Sequence, residues 1–387
     1  MALSILQFPA TASLAQSPMI FSLSSSINTT QSSFQYTAEL WYWSGGVADS
    51  GSSKYTLVKY PNSSGVGTFD VSRIINSTLT DLAIENTSNV KYYKCRFGTQ
   101  WVSSSLIITG SEKTDSDVYK ALDGYAIFQE PINQQIGPKS QFWPIMTNGP
   151  VSQSVFITNI GSGSVYVGSV SGSQPTSIFY SSSIGTGSVA LGAAAGTTQT
   201  EIRQFPMFPS ASGFPLSQVG LTDYTIQAKS GSTNIGSPIR FEVVCEQKYP
   251  NVRIKWKNRF GQFDYLNFYG VSQNGMRVDR QMYQPQIGSW EANTVSYNNY
   301  DSQNKPYVVN AKQTLLVNSQ LLQQDYNDIF KQLLVSDEIY WVYDENTNDI
   351  RPISINQDSI TFKTGVVDKT IQYSFTFDWS QNYKLII

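Results

Sequence analysis

Phe34-Gln35-Tyr36-Thr37-Ala38-Glu39-Leu40-Trp41-Tyr42-Trp43 alternates apolar and polar side chains over most of its length. Successive strand residues point to opposite faces of a sheet, so this period of two predicts a strand with one buried face. Trp41 and Trp43 then share one face and Tyr42 takes the other. One side enters a core, and the other is expected to be covered by another domain or subunit. Working outward, Ile20-Phe21-Ser22-Leu23 predicts an earlier strand. The Ser-Gly stretch 44–53 turns the chain, and 55–60 returns it, with Pro61-Asn62 as a stop. Gly67-Thr68-Phe69-Asp70-Val71 is short and strand-like. Ile74, Ile75 and Leu79 cluster at helical spacing within 71–82, which predicts a short helix. Segments 90–97 and 101–108 predict a closing hairpin. Together these make residues 1–111 an N-terminal β-sandwich-like domain.

Residues 112–144 read as a linker or bridging segment, opened by the charged string Glu112-Lys113-Thr114-Asp115-Ser116-Asp117 and punctuated by Pro131, Pro138 and Pro144. Residues 145–247 read as a Ser/Gly-rich β domain. Within it, 154–158 and 164–168 are expected as neighbouring strands, and 222–228 and 239–244 as a later pair. Residues 248–387 read as an α+β domain. Asn251-Val252-Arg253-Ile254-Lys255-Trp256 alternates cleanly, so Val252, Ile254 and Trp256 share a face while Arg253 and Lys255 are expected to meet water. A strand over 263–269 follows the glycine turn at Gly261. Leu322, Tyr326, Ile329 and Leu333 predict a helix over 321–334, with Asn318 or Ser319 as its cap. Further strands are expected at 350–355, 359–363 and 370–378. The fold class is thus mainly β: tandem β-sandwich-like domains followed by an α+β C-terminal domain.

A chain of 387 residues exceeds what one core normally fills, in keeping with about two to four domains. Aromatics reach 13%, which favours strands and part-apolar, part-wet interfaces. Charged residues are only 14% and the net charge is −2, so the surface has no long-range field to draw in nucleic acid or an anionic membrane. Residues 1–18 lack a basic region and an unbroken apolar core, so no signal peptide is expected. No stretch is long and apolar enough to predict a membrane-spanning helix. Cys95 and Cys245 are expected as free, buried thiols, with a disulfide as the alternative.

The sequence contains no histidine, which excludes a Ser-His-Asp triad, a Cys-His pair and histidine metal sites. Candidates for catalysis by paired carboxylates include Asp264, Asp279 and Glu291, or Glu338 and Asp344. Structural or solvent roles are the expectation for these acids. The run Asp344-Glu345-Asn346-Thr347-Asn348-Asp349 offers oxygen ligands to a hard cation, but it lacks EF-hand spacing and reads as a turn. No cofactor or metal is expected. The most distinctive string is Asn258-Arg259-Phe260-Gly261-Gln262-Phe263-Asp264. Gly261 can take a left-handed turn, Arg259 is placed to pair with Asp264, and Phe260 and Phe263 anchor the loop. It reads as a tightly packed hairpin, with an interface or ligand loop as the alternative.

Several strings resemble virion structural proteins of tailed bacteriophages, in particular tail, collar or ring proteins of crAss-like and related phages of Bacteroidetes. These strings are Lys59-Tyr60-Pro61 with residues 65–75, residues 258–268, and residues 321–377, including Asp337-Glu338-Ile339-Tyr340-Trp341-Val342 and Phe362-Lys363-Thr364-Gly365. None is a catalytic motif, so no active-site residue is carried over. The resemblance implies a non-enzymatic particle component, assembled in the host cytoplasm and sited in the tail or the portal-proximal collar. Its partners would be further copies of the chain and other virion proteins, and a ring would have closed cyclic symmetry. Trp41, Tyr42, Trp43, Trp256, Arg259, Asp264 and Tyr269 are the interface candidates. The alternatives are an appendage that binds a receptor or a host-surface glycan and, behind it, a carboxylate-based glycan hydrolase.

Overall fold

The computed structural model describes residues 3–10, 12–44, 51–79, 90–127, 154–157, 164–167, 176–190, 203–244, 248–259, 261–288, 290, 293–294, 296–322, 324–344, 349–357, 359–363 and 371–383. These residues are mainly β, in several sheets, with a small helical contribution. They divide into two compact units. The first is Met1–Cys245, Lys257–Tyr265 and Asp328–Ser336; the second is Glu246–Trp256, Leu266–Asn327 and Asp337–Ile387.

The first unit opens with β1 (Ser4–Gln7), β2 (Ala12–Leu14), β3 (Ile20–Ser24), β4 (Gln35–Trp43), β5 (Tyr55–Lys59) and β6 (Gly67–Asp70). Helix α1 (Ser72–Ser77) and then β7 (Val90–Ser103), β8 (Leu106–Thr109), β9 (Thr114–Asp115) and β10 (Tyr119–Leu122) follow. One sheet has the order β1-β3-β6 and a second the order β2-β10-β7-β4-β5, with β8 and β9 also on β7. Both line one core. Phe21, Leu23 and Phe69 meet Tyr36, Ala38, Leu40, Tyr93 and Phe97, with Ile75 of α1 and Leu79 beyond it. The alternation in β4 is therefore literal: its even-numbered residues from Tyr36 to Leu40 are buried. Part of the segment read as a bridge is sheet. β9 pairs with β7, while β10 lies antiparallel to β7 and parallel to β2. Its residues Tyr119 and Ala121 supply core side chains, and 128–144 lie outside the described residues.

The chain continues through β11 (Ser154–Ile157), β12 (Ser164–Val167), β13 (Ser177–Ser182), β14 (Gly185–Ala190), β15 (Arg203–Pro206), β16 (Asp223–Ser230) and β17 (Thr233–Val243). The β16–β17 hairpin is the expected pair. The expected neighbours β11 and β12 part company: β11 adds in parallel to β17, and β12 pairs with β15 in a separate two-stranded sheet. Strands consecutive in sequence are adjacent often but not always, and these two are not. The core here is aromatic. Tyr224 stacks on Phe241 at 5.2 Å and meets Phe214 edge-on at 5.0 Å. Buried hydroxyls require partners, and Tyr180 Oη donates to the Pro206 carbonyl at 2.9 Å while Tyr224 Oη donates to that of Met207.

The last strands are β18 (Val252–Lys257), β19 (Phe263–Phe268), β20 (Gln273–Tyr283), β21 (Lys305–Asn318), β22 (Ile339–Asp344), β23 (Asp349–Ile355) and β24 (Ser374–Asn382), with helix α2 (Asn327–Val335) between β21 and β22. The sheet order is β19-β18-β22-β23-β24-β21-β20. Trp256, Phe268, Phe375 and Phe377 are buried in the second unit, with Phe268 edge-on to Phe375 at 5.8 Å.

Three expectations for this region are corrected. Arg253 and Lys255 do not meet water; they are 2% and 1% exposed. A period of two separates two faces without saying whether the second is covered, and a buried cation must then find polar partners. Arg253 Nε donates to Asn267 Oδ1 at 3.0 Å. The helix begins later than expected, after a 3-10 turn over Gln324–Tyr326. Leu322 is held in a β-bridge to Ile371, and Ser319 Oγ accepts the Tyr373 amide instead of capping a helix. Residues 359–363 form no strand: the Lys363 amide donates to Tyr373 Oη and its carbonyl accepts from Asn327 Nδ2, so side chains take the place of a ladder.

Candidate functional site

β4 presents Trp41-Tyr42-Trp43 as the period of two requires. Tyr42 lies on the side of the shared core and stacks against Tyr55 at 6.2 Å. Trp41 and Trp43 lie on the opposite face, and the chain itself covers much of them. Lys94 Nζ and Arg96 Cζ sit 5.2 and 5.4 Å from the Trp41 ring, and its Nε1 donates to the Gly51 carbonyl at 2.8 Å. Trp43 stacks on Tyr92 at 6.1 Å, with Lys120 over that ring. Cations on indole faces stabilise by about 0.5–1 kcal/mol each at part-exposed sites. This face is an aromatic layer capped by cations, with Trp41 only 6% exposed.

Within the first unit, the turn between β18 and β19 is closely packed. Gly261 has φ +76°, and a Cβ there would lie 2.0 Å from the Asp123 carbonyl oxygen. The Tyr125 amide donates to the Arg259 carbonyl, and the Arg259 amide donates to Gln332 Oε1 of α2. Lys257 Nζ pairs with Asp123 at 2.5 Å, and both side chains are buried. Asp264 is 3% exposed and does not pair with Arg259; its hydrogen bond is with Asn258, and its Oδ1 has no partner among the described residues. Burial pushes its carboxyl well above the usual carboxylate range, against a smaller lowering by Asn258. Phe263 is buried and Phe260 lies outside the described residues. These polar groups fix a turn; a fully buried carboxyl offers no route to a substrate.

In the second unit Trp256 is core, 1% exposed, and Tyr269 is half-buried at the end of β19. The surface that sequence reasoning missed is the β20–β21 ribbon. Every residue of β20 is exposed. β20 and β21 pair from Gln273↔Leu316 to Tyr283↔Lys305, whereas β24 accompanies β21 only as far as Lys312. Among the described residues, 305–310 therefore have β20 alone beside them, a reach of about 20 Å at the usual strand rise. This stretch carries exposed Met282, Tyr283 and Tyr307, Met276 and Val278 are exposed further along β20, and the connection at its end adds Trp290, Tyr297 and Tyr300, the last 83% exposed. Tyr283 meets Tyr307 edge-on at 6.4 Å. The signal was present in Met276-Arg277-Val278-Asp279, which alternates as a half-covered strand does.

Among the described carboxylates weighed for hydrolysis, Asp264, Asp279 and Asp344 lie on different strands, on β19, on β20 and at the end of β22. Asp264 is buried, Asp279 stands on the exposed ribbon near Arg277 at 3.8 Å, Glu338 accepts from Tyr340 Oη, and Glu291 lies outside the described residues. Of the turn weighed for a cation, 345–348 also lie outside them, and among the described residues no cluster of three acidic or cysteine side chains could hold a metal ion. No described helix is long and apolar enough to cross a membrane. Comparison with protein-family models gives no match, and comparison with curated proteins finds none similar to this chain.

Proposed function

We propose that this chain is a non-enzymatic structural subunit of a phage particle, in a tail or collar ring, that assembles with further copies of itself and with other virion proteins. In this reading it consists of tandem β-sandwich-like domains followed by an α+β domain, and its surfaces carry no chemical step. The observation that carries it is the β20–β21 ribbon, which ends the sheet order among the described residues and exposes Met276, Met282, Tyr283 and Tyr307. A two-stranded ribbon is marginally stable alone, and an exposed apolar edge is a ready template for a neighbouring chain. The resemblance to crAss-like tail and collar proteins supplies the setting. The absence of histidine supports the non-catalytic side of the reading.

Light scattering on the purified chain tests this directly. A closed oligomer is expected, and Met282→Glu with Tyr283→Glu should reduce it to monomer without lowering thermal stability. A wild-type chain that stays monomeric at high concentration and is missing from purified particles would overturn the assembly reading.

A further inference from the structure

A cleft of about 520 Å³ opens in the second unit, between residues contributed by β21, β23, the end of β24 and Tyr383 just beyond it. Its size falls within the ordinary range for small-molecule sites, about 300–1,000 Å³. Its chemistry is specific. Arg351 and Asp349 form a forked pair, with Nε 3.1 Å from each carboxylate oxygen and the second contact at 2.6 Å. The same guanidinium lies 3.4 Å from the Tyr343 ring centroid and 4.8 Å from that of Trp379. Its charge is thus neutralised and its plane fixed, which removes the free fork that a phosphate or carboxylate ligand would seek.

What remains is neutral and rich in hydrogen-bonding groups. Gln313, Gln381 and Asn382 line the cleft, each with a carboxamide that both donates and accepts. The Trp379 indole Nε1 is buried and has no acceptor among the described residues. Tyr383, 63% exposed, places a ring at the rim, and Pro352 adds an apolar wall. Paired donors and acceptors beside aromatic faces complement a ring of hydroxyl groups with apolar C–H faces. A stacked nucleotide would need uncommitted cations for its backbone, and the arginine here is engaged.

We infer that this cleft binds an uncharged sugar unit of a glycan, with Tyr383 as the stacking surface and Gln313, Gln381 and Asn382 as the hydroxyl-reading groups. The inference stands independently of the assembly reading, because its residues are not the exposed apolar side chains of the ribbon. Saturation-transfer NMR on the full chain, with glucose, galactose, mannose, N-acetylglucosamine and their β-linked disaccharides as probes, tests it. Glucose 6-phosphate and sialic acid serve as charged controls. Transfer to the C–H protons of at least one neutral sugar is expected, weakened roughly tenfold or more by Tyr383→Ala and by Gln381→Ala, with melting temperature and oligomeric state unchanged. No transfer to any neutral probe at about 10 mM, or stronger binding of the charged controls, would overturn it. Binding that survives both substitutions would also overturn it, by placing the sugar elsewhere.

Discussion

Replacing Lys257 by methionine tests the packing of the β18–β19 turn. The Lys257–Asp123 pair is 2.5 Å long, and the two side chains are 6% and 2% exposed. Taking one member away leaves a carboxylate without its counter-ion in a place water hardly reaches, a change that costs about 3–5 kcal/mol. Gln16 Nε2 still donates to Asp123 Oδ1 at 3.1 Å, so the lower end of that range, about 3 kcal/mol, is the expected value. For a unit of this size, each kcal/mol lowers the melting temperature by about 2–4 °C, giving a fall of roughly 6–12 °C. Asp123→Asn should also destabilise, because the buried Lys257 ammonium loses its carboxylate partner. The double variant Lys257→Met with Asp123→Leu should recover most of the loss, since two apolar side chains of suitable volume replace a buried ion pair at little cost. Calorimetry and denaturant titration measure all three. Single variants within about 1 kcal/mol of wild type, or a double variant whose loss equals the sum of the singles, would refute the reasoning.

Asp264→Asn should raise stability at neutral and alkaline pH. The folded-state pKa of Asp264 lies above its unfolded value of about 4, so its contribution is intact below that pH and is lost as pH rises toward the folded pKa. Melting curves from about pH 4 to pH 9 should therefore fall with pH more steeply for wild type than for the variant. Gly261→Ala should destabilise by more than about 2 kcal/mol, combining a left-handed backbone with overlap on the Asp123 carbonyl. Gly220→Ala, at φ +75° but in open space, should cost only about 1–2 kcal/mol, and equal losses for the two would count against the packing argument. In a Cys245→Ser background, Cys95 should resist a thiol reagent until the chain unfolds, because its sulfur is buried and burial holds its pKa far above neutrality. Rapid labelling of the native protein would contradict this.

Much of the strand content was legible because it is local. The alternation through Tyr36, Ala38 and Leu40, the 72–77 helix, the β16–β17 hairpin and the left-handed Gly261 turn follow from the pleat, from helical spacing and from glycine's freedom. The candidate surfaces were legible only in fragments. Trp41 and Trp43 could be assigned to one face, but not the cations that cap Trp41, since Lys94 and Arg96 arrive on β7. The cleft lay beyond reach altogether. Gln313, Arg351 and Tyr383 are far apart in sequence and meet only because β23 and β21 both pair with β24.

That the chain is largely strand, weakly charged and without imidazole chemistry follows from its residues alone, because these properties reside in single side chains and their near neighbours. Tertiary structure alone decided which second faces are covered. It buried Arg253 and Lys255 against expectation, sent β11 and β12 to different sheets, and left every residue of β20 exposed among the described residues. A strand's pattern sets where its side chains point, but what they meet depends on ladders formed with partners tens of residues away, and no local period encodes those.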